Sequence, residues 1–318
     1  LDFVVVDYPK AGSTFLMNYL RKHVGNETYV YNGELCDMDK NRPDRIVKDF
    51  YHHHIGNRRT QDGRTVKFGF KCPKELESEY ALTNYARYFP ETKFIVSIRH
   101  PVLWFQSYYN FRAYHRFPVK MPPTKNLIGP CELGYPYIPW NCTKTCPSRN
   151  QHVCTNRANF HHTLSRLGKT PMSSREEKDL LMHDMEIVPM KNKVFIMESR
   201  QLIVENSASK HLSRDLQEFL GLEHKLRPLR PYVKRTSIYS NDKAVARMID
   251  ICEEEHKEVR DVLVRNGKDA AKWIKEYFIE SPEVYVSLKK EFIALLDDWG
   301  MDPCEEKDNR RLWSDIHL

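Results

Sequence analysis

No stretch of this sequence is apolar for long enough to cross a membrane. The longest strongly apolar runs among its 318 residues lie at positions 3–6 and 94–98, whereas a membrane-spanning helix needs about 20 consecutive apolar residues. With 41% hydrophobic and 29% charged residues, the chain does not have the composition of a disordered acidic tail. We therefore expect a globular protein without a membrane span. Because the chain begins at Leu1 rather than Met, we expect that any upstream signal or anchor segment has been removed or omitted from it.

Neither sign of charge dominates the composition. The 50 Lys and Arg residues exceed the 43 Asp and Glu residues only enough to give a formal net charge of +7. A mild basic excess suits an anionic ligand, although most such charge lies on ordinary solvated surface. We predict no nucleic-acid partner.

The C-x2-C pair typical of zinc ribbons is absent, although cysteine itself is plentiful. Four of the eight cysteines lie within residues 131–154, at the spacing C-x10-C-x3-C-x7-C. This Pro-rich stretch has few apolar anchors, so disulfides would lower the entropy cost of ordering it. Zinc stays an alternative, because His152, His161 and His162 are nearby.

Two N-glycosylation sequons agree with a secretory route for the chain. They are Asn26-Glu27-Thr28 and Asn141-Cys142-Thr143, although the tripeptide is common by chance. Together with the cysteines, they favour a glycoprotein with disulfide bonds formed in an oxidising lumen.

Short apolar segments alternate with amphipathic segments of helical spacing, which predicts an α/β fold with a mostly parallel central sheet flanked by helices. We interpret residues 1–318 as a single domain, with a Cys-rich insertion at about 113–157 and a helical C-terminal region at about 242–318. The predicted strands are residues 3–7, 29–31, 66–71, 93–98 and 194–197. Helices are predicted after residue 14 and at residues 44–54, 76–88, 101–112, 156–167, 174–186, 209–220, 242–265 and 283–298.

A phosphate-binding loop is predicted between the first strand and the first helix. The sequence Lys10-Ala11-Gly12-Ser13-Thr14 places free backbone N–H groups and the positive end of a helix dipole around one point, which favours an anion. Gly12 permits a close backbone approach, and Lys10 adds a cation. The loop is not a Walker A motif, because its Lys precedes the only Gly. The alternative interpretation is an ordinary N-capped helix with a solvated Lys10.

A second anion-binding motif is predicted after the fourth strand. It consists of Arg99-His100-Pro101 with Ser107 in the following helix. The planar guanidinium group of Arg99 suits a phosphate. Ligands of parallel α/β sheets bind beyond the carboxyl ends of the strands, so we expect the Lys10 loop, Lys71 and Arg99 at one edge.

These motifs resemble those of the sulfotransferases that use 3′-phosphoadenosine 5′-phosphosulfate (PAPS). The hexapeptide Pro9-Lys10-Ala11-Gly12-Ser13-Thr14 resembles their 5′-phosphosulfate loop, and Ile98-Arg99-His100-Pro101 with Ser107 resembles their 3′-phosphate motif. The segments Phe70-Lys71-Cys72-Pro73 and 216–222 resemble the membrane-bound, carbohydrate-type branch. The likeness covers about residues 1–112 and 194–222.

The resemblance implies an enzyme that moves a sulfuryl group from PAPS to an acceptor hydroxyl or amine. The product 3′-phosphoadenosine 5′-phosphate (PAP) is released, and no metal is required. Arg99 and Ser107 would bind the 3′-phosphate, and Lys10 would stabilise the negative charge on the bridging oxygen. The residues implied to bind the 5′-phosphosulfate are Lys10, Ala11, Gly12, Ser13 and Thr14.

The resemblance also implies a carboxylate base. Cytosolic members use a His two residues beyond a Lys, and this chain has Pro73 at that distance from Lys71. Carbohydrate-type members have a Glu just after the second strand, where Glu34 lies, and Lys71 would orient the acceptor or the transferring group. The rival bases are Glu75 and the run His52-His53-His54. The interpretation of Glu34 as a solvated turn residue stays open.

The acceptor is not identified, although the basic excess favours an acidic polymer such as a glycan, and the expected location is the Golgi lumen. The alternatives are a phosphate-loop small-molecule kinase and a non-catalytic module that binds sulfated glycan. We interpret Lys234 and Arg235 as a solvated charge pair rather than a loop over the 3′-phosphate. Four aromatic residues are interpreted as helix core rather than an acceptor platform. The aromatic residues are Trp104, Phe105, Tyr108 and Tyr109.

Overall fold

Every neighbouring pair of strands in the structure runs parallel, in one six-stranded sheet of order β2-β3-β1-β4-β5-β6. The computed structural model describes residues 1–25, 28–54, 66–115, 117–118, 120–129, 153–167, 190–202, 207–229 and 240–305. The strands are β1 (Phe3–Val5), β2 (Thr28–Glu34), β3 (Lys67–Lys71), β4 (Lys93–Ile98), β5 (Val194–Glu198) and β6 (Val284–Val286).

Helices follow most of the strands, so the predicted α/β fold is confirmed. Their bounds are α1 (Ser13–His23), α2 (Pro43–His54), α3 (Glu79–Tyr88), α4 (Pro101–His115), α5 (Phe160–Leu164), α6 (Ser207–Leu220), α7 (Asp242–Val245), α8 (Lys257–Glu276) and α9 (Lys289–Asp297). Within the described part of the chain, no helix combines the length and the apolarity needed to cross a membrane.

The chain divides into two compact units, which we call the sheet unit and the helical unit. The sheet unit comprises Leu1–Ile98, His161–Tyr232 and Trp273–Ile293. The helical unit comprises Arg99–Phe160, Val233–Lys272 and Ala294–Leu318.

The central strands of the sheet unit are buried except for Lys67 and Lys93 at the starts of β3 and β4, as their largely apolar sequences require. Side chains of β1, β4 and β5 share one core cluster with those of α1 and α6, including Phe3, Leu16 and Leu216. Gly69 in β3 lies directly beneath the ring of Phe3, since a Cβ atom at this position would stand 2.0 Å from the Phe3 Cζ atom. Only glycine at position 69 therefore leaves room for the Phe3 ring where β1 pairs with β3.

The helical unit has an aromatic core of its own. The ring of Phe160 contacts those of Trp104 and Trp299, with centroids 5.6 and 5.5 Å apart. The Cys252–Cys304 disulfide and an ion pair between Arg260 Nε and Asp302 Oδ2, 2.9 Å apart, add further links within this unit.

The prediction of disulfides is confirmed by Cys36–Cys72 and Cys252–Cys304. Of the four clustered cysteines, only Cys154 belongs to the described residues, and it is disulfide-bonded as well. Cys131, Cys142 and Cys146 lie outside the described residues, as do Asn26, Asn141, Lys234, Arg235 and the helix predicted at 174–186.

Three helix predictions are wrong in part. Residues 283–298 begin with the strand β6, because Val284 and Val286 pair with β5 and Leu288 adopts a positive φ of 51° before α9. Residues 242–265 hold the short α7 and a separate α8, since the side-chain amide of Asn110 bonds both the N–H and the C=O of Ile249 between them. In place of a helix at 156–167, a 3-10 turn (Thr155–Ala158) precedes the short α5.

Candidate active site

The loop between β1 and α1 is a tight turn that opens directly into a helix. The N–H of Ala11 donates to the C=O of Tyr8 at 3.1 Å, and the N–H of Leu16 donates to the C=O of Gly12 at 3.1 Å. Two residues have left-handed backbones, Lys10 with φ 70° and Gly12 with φ 117°. The hydroxyl of Ser97 in β4 donates to the C=O of Ala11 at 2.6 Å and holds the turn against the sheet.

Gly12 is the N-cap residue of α1 and supplies no side-chain oxygen to the helix. The first N–H groups of a helix have no partner within it. At the start of α1 these N–H groups form the positive pole of the helix dipole, and Ser13 and Thr14 add hydroxyl groups. The loop therefore has the donors that a phosphate or phosphosulfate group needs.

Lys71 links the loop to the end of the second strand. Its ammonium group donates to Thr14 Oγ1 at 2.8 Å and to Glu34 Oε1 at 3.1 Å. The register of the parallel pair places Glu34 opposite Lys71, at the carboxyl ends of β2 and β3. Lys71 is nearly buried, with 8% of its surface exposed, whereas the side chain of Glu34 is 50% exposed. A buried cation is thus paired with a carboxylate that solvent and substrates can reach.

Asp7 is a further acidic group beside this site, and sequence reasoning missed it. Its carboxyl is completely buried. Burial raises the pKa of Asp7 well above its usual value, while the charge of Lys71 and the hydrogen-bonding groups of Ser13 lower it in part. The signal in the sequence is an Asp directly after four apolar residues of a strand. The loop, Lys71, Glu34 and Asp7 all belong to the sheet unit.

The structure places the rival bases differently from Glu34. Glu75 is fully buried and accepts a hydrogen bond from the Tyr85 hydroxyl at 2.5 Å. Burial raises the pKa of Glu75 to about 8. His52 is exposed on α2. Neither residue contacts Lys71 or the loop in any described interaction, whereas Glu34 is hydrogen-bonded to Lys71 and exposed.

Arg99 and Ser107 belong to the helical unit, where both are buried. Arg99 is the residue after β4, as predicted, and Ser107 lies within α4. The neighbouring His100 accepts the N–H of Val102 on Nδ1 at 3.3 Å, and its Nε2 is 3.2 Å from the C=O of Asp298. The assignment of Arg99 and Ser107 to a 3′-phosphate stays a prediction.

The four aromatic residues of α4 that the sequence singled out are core residues, as interpreted. Trp104 and Phe105 are completely buried, and Tyr108 and Tyr109 are 5% exposed. The hydroxyl of Tyr109 donates to the C=O of Pro122 at 3.0 Å. None of these rings offers an open platform for an acceptor.

One cluster of three side chains with metal-ligating atoms occurs among the described residues, namely Glu253, Glu255 and His256. It lies in the helical unit, and the ring of His256 is already engaged, with Nδ1 2.9 Å from Thr124 Oγ1. Beside the carboxyl groups of Glu34 and Asp7, the Lys71 site offers a lysine, two hydroxyl groups and helix N–H groups, which suit an anion.

Comparison with protein-family models gave no match for this chain, and comparison with curated proteins gave none either. The site combines the N-terminus of α1 and its hydroxyl groups with the buried cation Lys71 and the exposed carboxylate Glu34. An anionic group can therefore be bound here next to a base.

Proposed function

We propose that this protein is a PAPS-dependent sulfotransferase whose active site is built around Lys10, Lys71 and Glu34. The observation that carries the proposal is the position of the Lys71 ammonium group. It bonds both Glu34 and Thr14, which ends the loop at residues 10–14 that we call the anion loop. A donor bound in the loop and an acceptor activated by Glu34 would meet beside this one cation. The motif resemblance supports the same assignment.

In the proposed reaction, Glu34 accepts the proton of the acceptor hydroxyl as its oxygen attacks sulfur. A new oxygen–sulfur bond forms while the bond from sulfur to the 5′-phosphate oxygen breaks. The electron pair of that bond leaves with PAP, and its negative charge is stabilised by Lys10 and the α1 N–H groups. Lys71 holds Thr14 and Glu34 in place and neutralises charge near the transferring group.

The chemistry of the loop residues suits the phosphosulfate group of PAPS. Gly12 provides no capping oxygen that would compete with a bound phosphosulfate for the helix N–H groups. The loop has one glycine and no Gly-Lys pair, so it does not supply the lysine position that a Walker-type kinase uses for a triphosphate.

An acidic polymer, such as a glycan in the secretory pathway, is the acceptor class that we propose. The net charge of +7 supports an anionic partner. The disulfides Cys36–Cys72 and Cys252–Cys304 support an oxidising compartment, of which the Golgi lumen is the proposed one.

Transfer of radiolabelled sulfate from PAPS to a panel of glycan, peptide, sterol and alcohol acceptors tests the proposal. The assay is run with a metal chelator, on the wild type and on Glu34→Gln, with Glu218→Gln as the matched control because this carboxylate is exposed on α6. We expect metal-independent turnover that falls about 100-fold or more in Glu34→Gln, the effect of losing a general base. Turnover unchanged by Glu34→Gln would remove this residue from the mechanism. No transfer to any class would contradict the proposed activity.

A further inference from the structure

A disulfide lies immediately beyond the two residues that form the proposed catalytic pair. Cys72 follows Lys71 directly, and Cys36 is two residues after Glu34. The two cysteines are bonded, with their Cα atoms 5.3 Å apart. Cys72 is completely buried, whereas Cys36 is partly exposed. The disulfide thus joins the ends of β2 and β3 at the point where Glu34 faces Lys71.

Lys71 has a rigid support that does not depend on this disulfide. It ends the buried strand β3, which pairs with β1 on one side and β2 on the other. The next residue continues this support, since the N–H of Cys72 donates to the C=O of Val5 at 3.1 Å.

Glu34 has a much weaker support from its own strand. β2 is an edge strand, and its register with β3 shifts between Val30 and Glu34. Asn32, Gly33 and Glu34 are exposed, and Gly33 has a left-handed φ of 140°. After the shift, Glu34 pairs with Lys71, and the N–H of Leu35 donates to the C=O of Lys71 at 3.1 Å. Such an irregular strand end is free to fray unless another link holds it.

We propose that the Cys36–Cys72 disulfide is a positioning device that holds the Glu34 carboxylate against Lys71. A covalent link two residues beyond Glu34 reinforces the strand end after the register shift and limits the conformations of this segment. Its loss leaves Lys71 and the loop in place and releases Glu34. The disulfide therefore controls the rate of the chemical step and not the binding of the donor. This inference rests on the proposed role of Glu34.

The test compares two disulfide-free variants, C36A/C72A and C252A/C304A. The second is a matched control, because Cys252–Cys304 also joins a buried and a partly exposed cysteine, with the same Cα separation of 5.3 Å, but belongs to the helical unit. Three quantities are measured for each variant: kcat for sulfate transfer, the Kd of PAP, and the hydrogen exchange rate of the Leu35 amide.

For C36A/C72A we expect kcat to fall roughly 100-fold, as a displaced catalytic group would cause, while the Kd of PAP stays within about twofold of the wild type. We also expect the Leu35 amide to exchange at least about tenfold faster, because the strand end opens. The control should match the wild type in all three quantities. If C36A/C72A does not fold, the disulfides of the wild type are reduced with a phosphine and the freed Cys36 is alkylated. Turnover should then fall in proportion to the fraction of Cys36 that is alkylated.

A kcat and a Leu35 exchange rate like those of the control would overturn the positioning role. Equal losses of kcat and PAP affinity would also overturn it, since they indicate general damage to the sheet unit. If the wild type transfers no sulfate at all, it is the proposed function that fails. Leu35 exchange, which needs no turnover, then decides alone whether the disulfide holds the strand end.

Discussion

Thr14 connects the anion loop to Lys71 through one hydroxyl oxygen. Replacing it with Val removes the acceptor of the 2.8 Å bond from Lys71 Nζ and leaves the ammonium group with Glu34 alone. A hydrogen bond to a charged group is worth about 1.5–3 kcal/mol, so we expect kcat to fall roughly tenfold or more in Thr14→Val. Thr14→Ser keeps the hydroxyl and should stay near the wild type. Equal activity of the two variants, measured with saturating donor, would show that this bond is unimportant.

Glu75 makes the stability of the fold depend on pH. Burial raises its pKa from 4.5 to about 8 in the folded chain. The folded state therefore holds a proton that the unfolded state releases, and stability declines as the pH rises from about 4.5 towards 8. Glu75→Gln retains an oxygen for the Tyr85 hydroxyl and cannot ionise.

We expect Glu75→Gln to gain stability relative to the wild type as the pH increases over this range. Denaturant unfolding of both proteins at pH 5, 7 and 9 measures the difference. Asp7 also has a raised pKa, but it is present in both proteins and cancels in the comparison. A difference in unfolding free energy that does not change with pH would refute the account of Glu75.

At the scale of the elements, β1 and β3 depend on the absence of a side chain at Gly69. A methyl group there would meet the Phe3 ring at 2.0–2.3 Å. Overpacking of this kind costs about 1–3 kcal/mol, so Gly69→Ala should lower the unfolding free energy by that amount and weaken donor binding through the shifted β1. Gly300→Ala is the control, because its new Cβ would have no neighbour closer than 3.7 Å. Chemical denaturation of the two variants provides the comparison, and equal stabilities would contradict the packing argument.

The central strands could be predicted from the sequence because they are continuous apolar runs that stay buried on both faces. The strand β6 could not, since it has three residues, lies at the sheet edge and leaves Tyr285 exposed. The tight turn at Lys10–Thr14 between a strand and a helix was predictable from its residues, and so was the position of Lys71 at a strand end. The partners of Cys36 and Cys72 were not, because spacing does not determine disulfide pairing. Asp7 was missed because its burial depends on elements distant in the sequence.

On the scale of the whole molecule, the sheet unit contains the anion loop, Lys71, Glu34 and the Cys36–Cys72 disulfide. Arg99 and Ser107 belong to the helical unit, and their predicted role rests on the motif resemblance. Arg99→Ala tests that role separately. If Arg99 binds the 3′-phosphate, PAP affinity falls about tenfold or more, the effect of removing a charge-assisted hydrogen bond. Adenosine 5′-phosphosulfate, which lacks the 3′-phosphate, should bind this variant and the wild type equally well. Equal losses for both ligands would contradict the assignment.

The central claim is that the Lys10 loop binds the donor without a metal. Calorimetric titration of PAP in the presence of a metal chelator tests it most directly, on the wild type, Lys10→Ala and Lys93→Ala. Lys93 is a suitable control because it lies in the same unit at the amino end of β4. The account predicts one PAP per chain, with affinity reduced at least about tenfold in Lys10→Ala and unchanged in Lys93→Ala. Binding that requires magnesium, or that is unaffected by Lys10→Ala, would contradict it.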